Sequence, residues 1–178
     1  GHVGGGFGVR GEIGPEDGLV CLAALRFGRP VAWIEDRREN FLASAHSRDQ
    51  HFTISGAFDG EGRLLAIDAD LLSNVGAFSC YPVSCGVEPL MAFAELPGPY
   101  VGAECGVRSR GVTTKTCMMA PYRGVARPML TFTMEQLMDR AAIRLGIDPV
   151  EIRRRNLIAA FPYRSPTGLV YDEGSYLE

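Results

Sequence analysis

No apolar run in this 178-residue chain approaches the roughly 20 residues that a helix needs to cross a bilayer, and its first residues carry no signal-peptide pattern. No segment reads as membrane-spanning, and a cytoplasmic location is expected, with periplasmic export left open. Five cysteines, Cys21, Cys80, Cys85, Cys105 and Cys117, form no C-x-x-C pair and are odd in number, so neither a disulfide framework nor a zinc or iron–sulfur site is signalled. Cys80 and Cys85 stand closest and would be the redox pair if there were one; small buried thiols are the expected role. The three histidines, His2, His46 and His51, are not at metal-ligand spacing, so no side-chain metal site is expected. Positive charge is not in excess either. A net charge of −3 gives no general reason to expect nucleic acid or an anionic membrane as partner. What remains is ordinary globular composition, 46% hydrophobic and 22% charged, which excludes disorder or fibre for the whole chain.

Glycine is plentiful and unevenly placed. The segment Gly4-Gly5-Gly6-Phe7-Gly8-Val9-Arg10, following Val3, puts bare backbone where something approaches closely. Successive glycines reach positive φ, so their N–H groups can converge on a phosphate or a metal oxo group. A tight turn near a chain end would use the same residues.

Punctuation marks the elements. Gly14-Pro15-Glu16-Asp17 opens a helix that Gly28 closes after Phe27. Its run of residues 19–27 is apolar nearly all round, so the helix is expected inside a larger body. Residues 30–35 read as a short buried strand and residues 36–40 as a charged break. The stretch holding His46, Arg48, Asp49 and His51 reads as a solvated loop. Residues 50–58 alternate at period two, Asp59-Gly60-Glu61-Gly62 is turn chemistry, and residues 64–72 alternate again, which predicts a β-hairpin. Residues 73–99 predict packed loops with one short helix over 88–94, and residues 101–116 predict a strand. Pro128 opens a helix whose apolar stripe is Leu130, Met134, Leu137, Met138, Ala141 and Leu145, closed by Gly146. Asp148-Pro149-Val150-Glu151 caps a short helix through Arg153, Arg154 and Arg155, an arginine run expected to be a solvated face or a subunit interface. The fold class is α+β, with mixed or antiparallel strands, a β-hairpin and C-terminal helices. No internal boundary divides residues 1–178. The opening at Gly1 and the tail from Gly174 to Glu178 read as parts of a longer polypeptide.

A second loop, Ala120-Pro121-Tyr122-Arg123-Gly124-Val125-Ala126-Arg127-Pro128, precedes the long helix. Loop amides and the positive end of the helix dipole favour an anion there, and Arg123 and Arg127 add fork-shaped donors. An arginine spent on a buried carboxylate would use the same pattern. A phosphate- or nucleotide-binding module without redox chemistry, and an assembly piece docking through the arginines of the last helix, are the rival readings of function.

Taken together, the glycine loop, Pro15-Glu16-Asp17, residues 31–40, Pro121-Tyr122-Arg123-Gly124, residues 145–149 with Arg155-Asn156-Leu157, and residues 166–172 resemble the molybdenum-binding large subunit of the xanthine dehydrogenase, aldehyde oxidase and aerobic carbon monoxide dehydrogenase family. The resemblance covers essentially the whole chain. It implies a molybdopterin cofactor, in the bacterial branch its cytosine dinucleotide, whose dithiolene holds the metal so that no protein side chain need be a ligand. Gly6, Phe7 and Gly8 match the loop whose amides face the metal's oxo ligand, and Arg123 matches the arginine on the cofactor's other side. Gly11 and Val125 match positions at the substrate pocket. The implied reaction hydroxylates an aldehyde or N-heterocycle at a C–H bond with oxygen from water, sending electrons to [2Fe-2S] clusters and FAD on partner subunits or domains of a hetero-oligomer.

Departures from the family pattern narrow this. Gly11 stands where purine-oxidising members carry a glutamate, and Val125 where they carry a stacking phenylalanine, so xanthine is not the expected substrate. Gly124 occupies the place of the copper-binding cysteine of carbon monoxide dehydrogenases. Ala126 replaces a usual glycine. The family's general base lies far toward the C-terminus of the full subunit, and neither Glu173 nor Glu178 is expected to supply it. The chain alone is therefore expected to be inactive.

Overall fold

The structure, a computed structural model, describes residues 4–102 and 104–177. Expectations resting on Gly1, His2, Val3 and Glu178 lie outside those residues. Helix α1 spans Pro15–Phe27 as its punctuation predicts, with the Gly14 amide donating to Asp17 Oδ2 at 2.9 Å and Gly28 closing it. Its expected place in an interior is not met by the described residues. Leu19, Leu22, Leu25 and Phe27 are all exposed, Leu25 by 82%. Residues 30–35 form no strand, and Ile34 is 88% exposed. An apolar run supplies side chains for a strand but not the neighbouring edge that must satisfy its backbone, and no backbone hydrogen bond joins residues 30–35 to another described segment.

The charged break is a helix. Asp36 caps α2, Arg37–Ala43, by accepting from the Glu39 amide at 2.8 Å, while Glu39 accepts from the Asp36 amide at 2.8 Å. This reciprocal box satisfies two orphan donors and turns a charge cluster into a helix start.

The hairpin forms as expected. Strand β1, Gln50–Phe58, pairs antiparallel with β2, Leu64–Gly76. At the turn, Asp59 Oδ1 accepts from the amides of Glu61 and Arg63 at 2.9 and 2.8 Å. Strand β3, Glu104–Thr113, joins β2 in parallel, giving a mixed sheet of order β1-β2-β3. Between them runs α3, Val87–Glu95. One sheet face packs on α4, Arg127–Leu145, where Leu71, Met134 and Met138 are almost wholly buried. Gly56 allows this approach, since a Cβ there would lie 2.9 Å from Leu137 Cδ2. The α4 stripe differs at its end, where Ala142 is buried and Leu145 is 37% exposed.

Helix α5, Pro149–Asn156, is capped by Asp148, whose Oδ1 accepts from Val150 and Glu151 at 2.9 and 3.0 Å. Its arginines are not simply a solvated face. Arg153 donates to Glu135 and Asp139 of α4 at 2.7 and 2.8 Å, and Arg155 to Glu151 at 2.9 Å and to the Glu61 carbonyl at 2.5 Å. Two arginines of the run therefore tie elements of this chain together. The last segment holds a hairpin of two short strands, β4 Tyr163–Arg164 with β5 Val170–Tyr171. The architecture is α+β. No helix among the described residues is long and apolar enough to cross a membrane.

Candidate functional site

The glycine loop is closed by its own backbone. The Arg10 amide donates to the Gly6 carbonyl at 3.1 Å and the Gly11 amide to the Gly8 carbonyl at 2.9 Å, the latter within a single 3-10 turn, Val9–Gly11. The second loop is closed in the same way, Val125 donating to the Tyr122 carbonyl at 2.7 Å and Arg127 to the Gly124 carbonyl at 2.9 Å. Between the two loops, the Arg123 amide donates to the Phe7 carbonyl at 2.9 Å. A Cβ on Gly8, whose φ is 98°, would lie 2.4 Å from the Pro121 carbonyl oxygen. Only glycine lets the loops meet there.

Phe7, Gly8 and Arg123 are thus brought together from opposite parts of the sequence. Gly6 contributes the carbonyl that closes the turn. Gly11 and Val125 flank the junction, Gly11 with open space around the position of a Cβ and Val125 half-buried. Ala126, in the place of the family's usual glycine, is fully buried, so its methyl is accommodated inside the loop's base.

Backbone strain concentrates at the junction. Among the described residues the non-glycine positions with positive φ are Phe7 at 53°, Arg48 at 68° and Val125 at 50°. Each such conformation costs on the order of 1–3 kcal/mol and persists only where its surroundings determine it. Val125 is β-branched, for which the left-handed region is least comfortable.

The charges sort themselves. Arg127 pairs with Glu95 at 2.6 Å, so it is not the free cation that the sequence suggested. The Arg123 guanidinium has no hydrogen bond or ion pair among the described residues, and the alternative of an arginine spent on a buried carboxylate is not found for it. Arg10 donates to Glu35 at 3.4 Å, and Glu35 also accepts from Asn40 at 2.7 Å. Behind the glycine loop Arg10 and Glu35 line a cavity of about 190 Å³ with Val9, Glu12, Trp33 and Met118. Cys80 donates to the carbonyls of Val83 and Met119 at 2.8 and 3.2 Å, and burial, reinforced by the Glu12 carboxylate, pushes its thiol up to about 11. It makes no disulfide with Cys85. A larger cavity, about 430 Å³, lies away from the junction beside α4, with Glu95, Tyr100, Arg127, Met134 and Tyr171 in its wall.

The expected solvated loop around His46 and Arg48 is instead part of the site's frame. The His46 amide donates to the Met118 carbonyl at 3.0 Å and its carbonyl accepts from the Ala120 amide at 2.8 Å, which lays this stretch alongside the start of the arginine loop. The Arg48 guanidinium sits 4.6 Å from the centre of the Tyr122 ring and donates to the Arg123 carbonyl. Sequence reasoning missed this residue, because nothing local marks a contact made 75 positions away.

Among the described residues, no group of three His, Cys, Asp or Glu side chains is placed to hold a metal ion. The amides of Phe7 and Gly8 donate to no acceptor of the chain among those residues. Two amides and a guanidinium without acceptors among the described residues, together with bare backbone, suit an anionic group that brings its own metal ligands, and the residues fit a molybdopterin-type cofactor in that sense.

Comparison with known proteins agrees in kind. The family described as molybdopterin cofactor-binding domain matches residues 1–157. The nicotine 6-hydroxylase large subunit of Paenarthrobacter nicotinovorans is 40% identical over 177 residues, 99% of this chain and 22% of that protein. Quinoline 2-oxidoreductase from Pseudomonas putida 86 superposes with a TM-score of 0.95 at 41% identity, covering 98% of this chain and 22% of the other. Aldehyde oxidoreductase from Desulfovibrio gigas gives a TM-score of 0.83 at 28% identity, covering 94% of this chain and 18% of the other. The chain therefore spans about a fifth of the length of these relatives.

Proposed function

The chain belongs to the molybdopterin cofactor-binding domain family, and from that premise we propose that it forms part of the cofactor cradle of a molybdenum hydroxylase large subunit. The observation that carries this is the junction itself, where the Arg123 amide holds the Phe7 carbonyl and Gly8 leaves no room for a side chain. In this reading the Phe7 and Gly8 amides hold an acceptor oxygen of the cofactor, and the Arg123 guanidinium balances anionic charge from the second loop. When bound, the cofactor supplies two-electron oxidation of a C–H bond with oxygen drawn from water.

The residues of this chain bind and orient; the general base is placed outside it. Gly11 and Val125 leave space beside the junction for substrate. Relatives near 40% identity are named for nicotine and quinoline, both N-heterocycles. That supports an N-heterocycle before an aldehyde as substrate. The cytosine dinucleotide form of the cofactor, [2Fe-2S] and FAD on partner subunits, and a hetero-oligomer complete the proposal.

Elemental analysis for molybdenum, with release of the pterin, tests it on the full-length subunit purified with its neighbouring subunits. Close to one molybdenum per large subunit is the expected result. Its absence despite intact cofactor supply, together with binding of a simple nucleotide, would replace the proposal with the phosphate-binding reading.

A further inference from the structure

The second loop is held from outside by one side chain. Arg48 donates to the Arg123 carbonyl and lies over the Tyr122 ring at 4.6 Å, so a single guanidinium grips two consecutive residues of the loop. A planar, delocalised cation suits both contacts at once, an edge donor for the carbonyl and a flat face for the ring.

Arg48 is itself held. Its backbone is left-handed, with φ of 68°, and its amide donates to Glu88 Oε2 at 3.3 Å. Glu88, at the start of α3, is 5% exposed and also accepts from the Ser47 hydroxyl and from Gln50 Nε2 at 3.1 Å. Three donors from residues 47–50 converge on one buried carboxylate. That convergence fixes the turn leading into β1 and with it the direction in which Arg48 leaves the backbone. Arg48 Nε is buried without a partner among the described residues, and the side chain keeps its grip despite that orphan donor.

We propose that Arg48 is the positioning residue of the arginine loop, with Glu88 as the group that sets Arg48. This rests on the reading of that loop as one side of a cofactor cradle. Arg48 touches neither cofactor nor substrate in it; it decides where the Arg123 backbone, and hence the junction with Phe7, is held.

The test compares the full-length subunit, purified with its partners, as wild type, Arg48→Ala, Arg48→Lys and Glu88→Gln. Three readouts are followed: the thermal midpoint, molybdenum remaining per subunit during extended dialysis, and the rate of tryptic cleavage after Arg123. Arg48→Ala is expected to keep a near wild-type midpoint while losing molybdenum about tenfold faster and being cut faster after Arg123. Arg48→Lys should not rescue either property, because an ammonium cannot donate to the carbonyl and lie flat on the ring together. Glu88→Gln should fall between, since it keeps the size but loses the charge that gathers the three donors. Molybdenum missing from wild type would sink the cradle reading, and cleavage after Arg123 would then decide the role of Arg48 by itself. Wild-type molybdenum retention in Arg48→Ala, or, without molybdenum, unchanged cleavage, overturns the inference. Should Arg48→Ala fail to fold, Arg48→Lys takes its place, with faster molybdenum loss and faster cleavage expected and wild-type values of both overturning the inference.

Discussion

Gly8 concentrates the constraints on the candidate site into one residue. A side chain there meets both a positive φ and a carbonyl oxygen 2.4 Å from its Cβ. Gly8→Val should therefore part the two loops and abolish molybdenum retention in the full-length subunit, and normal molybdenum content in that variant would remove Gly8 from the cradle. Val125 bears on selectivity instead. Val125→Phe narrows the space beside the junction and is expected to shift relative rates toward flat aromatic rings over aliphatic aldehydes; an unchanged ratio across a substrate panel would place Val125 away from the pocket. Cys80 offers a prediction in pH. Burial raises its thiol to about 11, so the folded chain keeps the proton while the unfolded chain begins to lose it in the ordinary thiol range. Stability should then fall as pH rises through that window up to about 11, and Cys80→Ser should flatten that part of a plot of thermal midpoint against pH.

Between elements, the tie from α5 to the hairpin turn depends on Asn156. This buried side chain accepts from the Leu64 amide at 2.6 Å and donates to the carbonyls of Gly62 and Ile152 at 2.8 and 2.7 Å. Asn156→Leu strands two buried backbone groups of the turn and should cost about 2–3 kcal/mol. Asp148→Ala removes only the cap of α5, at about 1 kcal/mol. Denaturant titration of the two variants should rank them in that order. Elements whose signal is local were readable in advance. The hairpin announces itself by alternation on both sides of Asp59-Gly60-Glu61-Gly62, and α4 and α5 by proline at the start with Gly146 or Asp148 at the boundary. Helix α2 was equally local, because Asp36 and Glu39 stand at capping-box spacing, but the charges around them disguised it. Residues 30–35 show the opposite failure, an apolar run with no edge to join among the described residues.

For the molecule as a whole, the outstanding feature is apolar surface on α1 and the segments after it. Leu19, Leu22, Leu25 and Phe27, together with Ile34, Phe41 and Leu42, are each at least 63% exposed. Surface of this kind marks a contact to be made. By itself, the 178-residue chain should associate with increasing concentration, and Leu22→Lys with Leu25→Lys should suppress that in sedimentation measurements. The same pair placed in the full-length subunit should lower its stability. Equal behaviour of both pairs of proteins would mean that this face is solvated in the complete subunit as well.

The hairpin, helices α1, α4 and α5, the two glycine-bearing loops and the family they point to were present in the sequence, because turn chemistry, caps and hydrophobic period act over a few residues and leave local marks. Pairing across long separations was not. That β3 runs parallel to β2, that Arg127 is neutralised by Glu95 while the Arg123 guanidinium has no partner among the described residues, and that Arg48 reaches the second loop were decided by the packed chain. Each depends on which distant group arrives alongside, and side-chain identity alone does not specify that.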